Sequence, residues 1–302
     1  MPRVSVVMPT RDRRHMLARA LASVQAQTFR DFEVVVVDDG STDGTAFWLR
    51  ANYSGVSLVE IGQPSGAAAA RNRGVDRSGG EIVAFLDDDD VWRPSYLETQ
   101  VARLNTHPEA ELCTAAHVDV DAAGRVSQPD LRPLYHYPVP LVHLLAECPI
   151  HTLSVVTCRR AAFERIGPFD ETLPIVHDLD WYLRLIASGG KVEHSSTALV
   201  EHAVPARLVT RHRQWFQEER SVHRRFFAKG RLAPEHQRLI RAARALLFAR
   251  VGLTKWDLAF GLARLTEAIL VSPIDAVDVM ARKLRRRRRS ADAWGAATGD
   301  AG

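Results

Sequence analysis

Apolar and polar positions follow two rhythms along this chain. Val4-Ser5-Val6-Val7-Met8 is a nearly unbroken apolar run closed by Pro9-Thr10, which predicts a strand. From His15 to Gln27 the residues Met16, Leu17, Ala20, Leu21 and Val24 share one face, which predicts a helix. Phe32 to Val37 is a second apolar strand and ends in Asp38-Asp39-Gly40-Ser41-Thr42-Asp43-Gly44-Thr45. Strand, helix and strand joined by short loops make a βαβ unit and therefore a parallel sheet. A further run, Ile82 to Leu86, follows Gly79-Gly80 and reads as a strand buried on both faces. It stops abruptly at Asp87-Asp88-Asp89-Asp90, before Val91-Trp92. Ligands of open parallel sheets bind outside the carboxyl ends of the strands. Pro9-Thr10-Arg11, Asp38 to Ser41 and the acid run all fall on that rim.

Pro64-Ser65-Gly66 opens a helix through Gly74, whose alanines allow close packing. Arg71 is the cation in this half best placed to meet a phosphate; the other reading puts Arg71 and Asn72 on a solvated helix face. Pro94 suits the first turn of a helix that turns Leu97, Val101 and Leu104 inward. Glu111 to Ala116 and His117 to Val120 read as strand, turning at Asp121 to Gly124. Periodicity is lost from Val126 to Pro149, as expected of a long surface excursion. Ser154 to Thr157 reads as strand, Arg159 to Ile166 as a short helix and Gly167 to Glu171 as a turn. Leu179, Trp181, Tyr182, Leu183, Leu185 and Ile186 define another helix, stopped by Gly189-Gly190. Asp178 stands at its start, as an N-cap or as a functional carboxylate, and Asp180 has the spacing to pair with Arg184.

Beyond Glu201-His202, helical segments run over Arg211 to Lys229, Pro234 to Val251, Trp256 to Val271 and Pro273 to Arg289. Many set a basic face opposite an apolar one. The expected organisation is a mostly parallel α/β domain over 1–210, a helical C-terminal extension over 211–281 and a basic, disordered tail over 282–302.

The net charge of +4 is an uneven average, because Arg282, Lys283 and Arg285 to Arg289 place seven cations in eight residues. Without them the balance is slightly negative, so the folded part is not a basic nucleic-acid binder. The basic helices and arginine cluster suit peripheral contact with an anionic membrane. Three cysteines without CxxC spacing point away from a zinc site or a disulfide framework and toward a reducing, cytoplasmic setting. Met1-Pro2-Arg3 leads straight into a strand, so no cleavable leader is expected. No uncharged apolar run approaches the roughly 18 residues of a spanning helix.

Four adjacent carboxylates repel one another, and burying them without counter-charge is costly. An exposed acidic turn is the bland alternative, but a fully apolar strand before the acids and Trp92 after them argue for a built site. Oxygen-only donors point to Mg or Mn rather than zinc.

These stretches, in their order, resemble the family 2 glycosyltransferases of the GT-A fold. Pro9-Thr10-Arg11-Asp12-Arg13 is similar to the family's first-strand exit, and Val37 through Thr45 to its nucleotide-binding loop. Gly66 with Ala70 to Gly74, Gly80-Glu81-Ile82 and Leu86 to Trp92 resemble the approach to its metal-binding DxD segment. Ile166 to Glu171, then Asp178 through Arg184, resemble its acceptor-side block, and the likeness covers about residues 3–205.

The resemblance implies a metal-dependent, inverting transfer from a nucleoside-diphosphate sugar to an acceptor hydroxyl. The acceptor would be a saccharide, a lipid-linked saccharide or a small molecule, in polysaccharide, glycolipid or glycosylated-metabolite synthesis. Asp39 would accept a hydrogen bond from the base, with uracil or thymine favoured. Pro9, Thr10 and Arg11 would line the base with Arg71 nearby, while Asp87 and Asp88 would lie by the ribose and around the metal. Asp89 and Asp90 would reach the divalent cation (Mn or Mg), and Asp178 would be the general base. Where the family has Glu before that base, this chain has His177. His202 and His212 are further candidates for the diphosphate, and His151 for the acceptor. Other readings are a membrane-surface or nucleic-acid binder acting through the basic C-terminus, or a non-catalytic sugar-nucleotide binder.

Overall fold

A computed structural model describes residues 1–121, 123–127, 145, 150, 152–203, 211–228, 234–254 and 258–271. The chain divides into two compact units, Met1–Leu141 with Pro149–Ala206, and Val142–Cys148 with Arg207–Gly302.

The first unit is built on an eight-stranded mixed sheet. In chain order it contains β1 (Val4–Thr10), α1 (Arg14–Gln25), β2 (Phe32–Asp38), α2 (Thr45–Asn52), β3 (Val56–Glu60) and α3 (Ala67–Arg77). These lead to β4 (Ile82–Phe85), β5 (Val91–Trp92), α4 (Tyr96–Thr106) and β6 (Ala110–Val120). After a 3-10 turn at Leu153–Val155 come β7 (Val156–Arg159), α5 (Arg160–Ile166), α6 (His177–Ala187) and β8 (Lys191–Ala203). The strand order is β3-β2-β1-β4-β7-β6-β8-β5. The first four strands run parallel, and β7 is antiparallel to both β4 and β6. β6 and β8 are again parallel. The exits of β1, β2, β4, β6 and β8 and the entry to β7 therefore share one rim.

The sheet forms because Val4, Val6, Val7, Val35 to Val37 and Ile82 to Phe85 are all buried between helical layers. Ala68, Ala69 and Ala70 let α3 lie close on β1 and β2. Gly74 takes this furthest: a Cβ there would fall 2.4 Å from Val7 Cγ1 and 3.1 Å from Val37 Cγ2. Trp92 stacks on Tyr96 at 4.1 Å between ring centroids and donates Nε1–H to the Ser154 carbonyl at 2.8 Å.

Several sequence expectations shift. Ser154 belongs to the 3-10 turn, and strand pairing begins only at Val156, because the Thr152 side chain caps the turn by accepting from Ser154 N at 3.1 Å. α2 and β3 carry too few core positions to signal themselves; β3 is half-buried from Val56 to Val59 and exposed at Glu60. β8 was hidden by Glu193 to Thr197, where its register against β6 shifts. α1 spans Arg14–Gln25 rather than His15 to Gln27.

The second unit contains α7 (His212–Ala228), α8 (Pro234–Thr254) and α9 (Leu258–Val271). Phe216, Phe248 and Phe260 form an edge-to-face cluster with centroids 4.9 to 6.5 Å apart. Glu219 and Arg244 form a buried ion pair in the same helices. No helix among the described residues is long and apolar enough to cross a membrane. The segment from 128 to 144, His151, and everything from 272 onward, including the arginine run and the helix expected over Pro273 to Arg289, lie outside the described residues.

Candidate active site

The acid run leaves β4 through Leu86, whose N–H still reaches the Val7 carbonyl at 3.1 Å. Sheet pairing thus delivers Asp87 to Asp90 to the rim in fixed order. Asp87 N donates to Ser154 Oγ at 3.0 Å, and Asp90 N to the Asp87 carbonyl at 3.2 Å, closing a tight turn.

The four carboxylates have different partners. Asp88 is buried and accepts from Thr10 Oγ1 at 2.7 Å and Arg13 Nη1 at 3.1 Å. Arg13 also reaches Asp89 Oδ2 at 3.0 Å. Asp87 pairs with Arg71. Asp90, only 1% exposed, accepts from Thr152 Oγ1 at 3.2 Å and from Ala203 N at 2.8 Å. Burial pushes Asp88 up to about 6 against the pull of Thr10 and Arg13. Burial and the Asp87 charge raise Asp89 and push Asp90 up to about 7, where His202 opposes them. The exposed-turn alternative fails, since Asp88 and Asp90 are buried, and the neighbouring cations leave the cluster under-neutralised. Carboxylate-only donors with this deficit fit a hard divalent cation.

Asp39 follows β2 and is buried. Its Oδ1 accepts from Ser65 N and Oγ at 2.7 and 2.8 Å, and its Oδ2 from Gly66 N at 2.9 Å. A carboxylate has about four acceptor positions, so one remains. Gly40 stands here at φ 76° with Pro64 against it, so a side chain would be strained as well as crowded. Arg11 is exposed, and its described ion pair is with Asp12 at 3.8 Å, so the structure does not join it to the acid run. Pro9 and Thr10 end β1 opposite Val37 and Asp38.

Arg71 and Asn72 do not form a solvated face; both are buried. Asn72 ties α3 to the turn before α6, donating to the Phe169 carbonyl at 3.0 Å and accepting from Phe169 N at 2.9 Å. Arg71 joins Asp87 to His177, with Nη1 2.9 Å from His177 Nε2. His177 Nδ1 lies 3.2 Å from the Leu173 carbonyl, which can only accept. The proton therefore sits on Nδ1, and Nε2 accepts from Arg71. Burial and the Arg71 charge push His177 down to about 3, so it is neutral.

Asp178 is not the N-cap: α6 begins at His177, and Asp178 lies in its first turn with Oδ1 accepting from Leu179 N at 2.7 Å. Burial pushes it up to about 6, with Arg71 lowering and Asp87 raising it. Asp180 pairs with Arg184 at 2.8 Å, as its spacing requires.

Four residues, Arg13, His117, Asp119 and His202, lay outside the sequence candidates or were underweighted. Arg13 was passed over for Arg11, although a charge at the start of α1 is the one aimed at Asp88 and Asp89. His117, Asp119 and His202 meet where β6 and β8 exit, with ligand atoms within 4.8 Å of one another. His202 Nδ1 donates to Asp119 Oδ1 at 2.8 Å; burial lowers the His202 pKa, but Asp119 and Asp90 raise it overall. His212 packs edge-on against Phe260 in the second unit.

Comparison with known proteins places these elements in a family, since the model described as "Glycosyl transferase family 2" matches residues 5–167. The chain belongs to glycosyl transferase family 2. Among curated family members, it is 30% identical over 185 residues to the Escherichia coli UDP-Glc:alpha-D-GlcNAc-diphosphoundecaprenol beta-1,3-glucosyltransferase WfgD. That match covers 60% of this chain and 68% of WfgD. Among solved structures, S. aureus TarS (residues 1–349) superposes with a TM-score of 0.62 at 21% identity, covering 92% of this chain and 83% of that one. The mannosyltransferase PcManGT from Pyrobaculum calidifontis, solved with GDP-Man and Mn2+, gives a TM-score of 0.60 at 24% identity, covering 94% and 80%. The fold is GT-A, and the chain is a glycosyltransferase.

Proposed function

We propose that this glycosyltransferase is inverting and cation-dependent, moving a hexosyl or deoxyhexosyl group from a UDP- or dTDP-sugar to an acceptor hydroxyl. The acceptor is a saccharide, free or lipid-linked, or a small molecule, and the setting is the cytoplasm or the inner face of the membrane. The observation that supports this best is Arg71, which joins the acid run at Asp87 to His177, the neighbour of Asp178, so that one buried cation links donor and acceptor sides. Its Nε is buried and has no partner among the described residues, which suits an anionic ligand.

Asp39 keeps one acceptor position for a base N–H, with Pro9 to Arg11 alongside. Asp89 and Asp90 would hold the cation, Asp89 being the more open at 19% side-chain exposure. Asp87 and Asp88 would serve the ribose and the cation's surroundings. When bound, the cation supplies charge to stabilise the departing diphosphate. Asp178, with its pKa near neutrality, accepts the proton of the attacking hydroxyl. The hydroxyl oxygen forms the bond to the anomeric carbon while the bond to the diphosphate oxygen breaks and its electron pair leaves with the diphosphate. One displacement inverts the anomeric centre, and no nucleophilic Ser or Cys is required.

The test is thermal stability against a panel of nucleoside diphosphates with Mn, Mg or chelator, since a native-state ligand raises apparent stability with its concentration. Stabilisation by a uridine or thymidine diphosphate only with cation supports the reading. Stabilisation by none of them overturns it.

A further inference from the structure

Helix α9 exposes a stripe of apolar residues and keeps its charges half-buried, unlike a helix that shows a polar face to water. Ala259, Leu262, Ala263, Thr266 and Leu270 are exposed, with Leu262 at 55% and Leu270 at 78%. Their spacing places them on one stripe about 100° wide. The two charged residues of α9, Arg264 and Glu267, pair with each other, and Arg264 also lies 4.6 Å from the Phe216 ring and 5.7 Å from the Phe260 ring. The opposite side of α9 is anchored by buried Ala268 against Ala245.

The stripe has a basic neighbour. On α7, Arg213, Gln217, Arg220 and Arg224 are exposed and share one face by the same spacing. Arg213 lies over Phe260 of α9 at 5.5 Å, so the basic stripe adjoins the apolar helix. Ten residues after α9 ends, the sequence places seven cations between Arg282 and Arg289.

We propose that α9 lies in the plane of an anionic lipid bilayer, with Leu262 and Leu270 in the acyl boundary and the α7 arginines on the headgroups. The 14 residues of α9 make about 21 Å of helix, short of the roughly 30 Å hydrocarbon core, so α9 lies on the membrane rather than across it. Apolar insertion and a cationic patch are each marginal alone, and the second unit holds both. This inference rests on the second unit only and is independent of the donor and acceptor chemistry.

The experiment is co-sedimentation of the full chain with vesicles of phosphatidylglycerol and phosphatidylcholine, compared with phosphatidylcholine alone, without substrate. The unsubstituted chain should bind the anionic vesicles and be released by salt. Leu262→Ser with Leu270→Ser should weaken partitioning by about tenfold or more. Arg220→Gln with Arg224→Gln should weaken it by several-fold on anionic vesicles only. All four positions are exposed, and an unchanged circular dichroism spectrum confirms folding. Absence of binding to anionic vesicles, or binding indifferent to the leucine pair, overturns the proposal. So does a dimer in light scattering that the leucine substitutions dissociate, which would assign the stripe to a second copy of the chain.

Discussion

Replacing Arg71 by Met keeps the stem of the side chain while removing the guanidinium that joins Asp87 to His177. His177 Nε2 then loses the donor at 2.9 Å and stays buried, which costs about 1–3 kcal/mol for an unsatisfied acceptor. Asp87 loses its ion pair, but its side chain is 28% exposed and water recovers part of the loss. A contribution of about 1 kcal/mol is therefore appropriate, below the 3–5 of a fully buried pair. The expected destabilisation is about 2–4 kcal/mol. With a urea slope of about 2–3 kcal/mol/M, the midpoint falls by about 1 M. The companion His177→Leu removes the acceptor, so the double variant should be more stable than the sum of the single effects by about 1 kcal/mol or more. A second readout is the His177 ring in NMR titration. Arg71 lowers its pKa, so in Arg71→Met the value should rise from about 3 toward the ordinary range. A variant within about 0.5 kcal/mol of the parent, with an unmoved His177 titration, would refute the bridge.

Asp178→Asn should lower turnover by about a hundredfold or more, and the unsubstituted enzyme should lose activity as pH falls through about 6, where Asp178 protonates; full turnover in the variant sinks the assigned base. Asp88 and Asp90 stand above their unfolded value of 3.8, at about 6 and about 7, so the stability linked to them is complete below pH 3.8 and lost as pH rises through 6 and 7. Mn should reverse that loss, so its thermal shift should grow from about pH 5.5 to about pH 7.5; a shift larger at acid pH contradicts it. Gly74→Ala should destabilise by about 1–3 kcal/mol, because its Cβ would overlap Val7, and chemical denaturation reads the change.

The sequence made legible whatever was written in continuous apolar runs. β1, β2 and β4 were visible because each carries a run buried on both faces, which only Ser5 in β1 and Glu33 near the start of β2 interrupt. The rim followed from parallel topology alone. What stayed hidden depended on distance in the chain. Arg13 lies 75 residues from Asp88 in sequence, and only the β1–β4 pairing brings them together. The Asp119–His202 contact spans 83 residues and needs β6 and β8 to be neighbours. Asp178 looked like a cap because residue preference favours Asp at helix starts, but the helix starts one residue earlier and leaves its carboxylate in the first turn.

The neutral His177 changes the charge balance of the site. A Glu at this position would give Arg71 a second counter-charge beside Asp87. His177 gives it a hydrogen-bond acceptor without charge, so Asp87 is the one carboxylate paired directly with Arg71 among the described residues, while Arg13 divides between Asp88 and Asp89. Asp178 then has one fewer anion near it than with Glu, which favours its ionised form, and burial sets it at about 6 rather than higher. Asp90 is left with His202 as its opposing cation, itself shared with Asp119. The positive charge in short supply therefore lies at Asp89 and Asp90 and not at Arg71. His177→Glu should accordingly raise the acid limb of the pH–rate profile while leaving the Mn-dependent thermal shift nearly unchanged. A loss of the Mn response in that variant would show that the two halves of the site titrate as one.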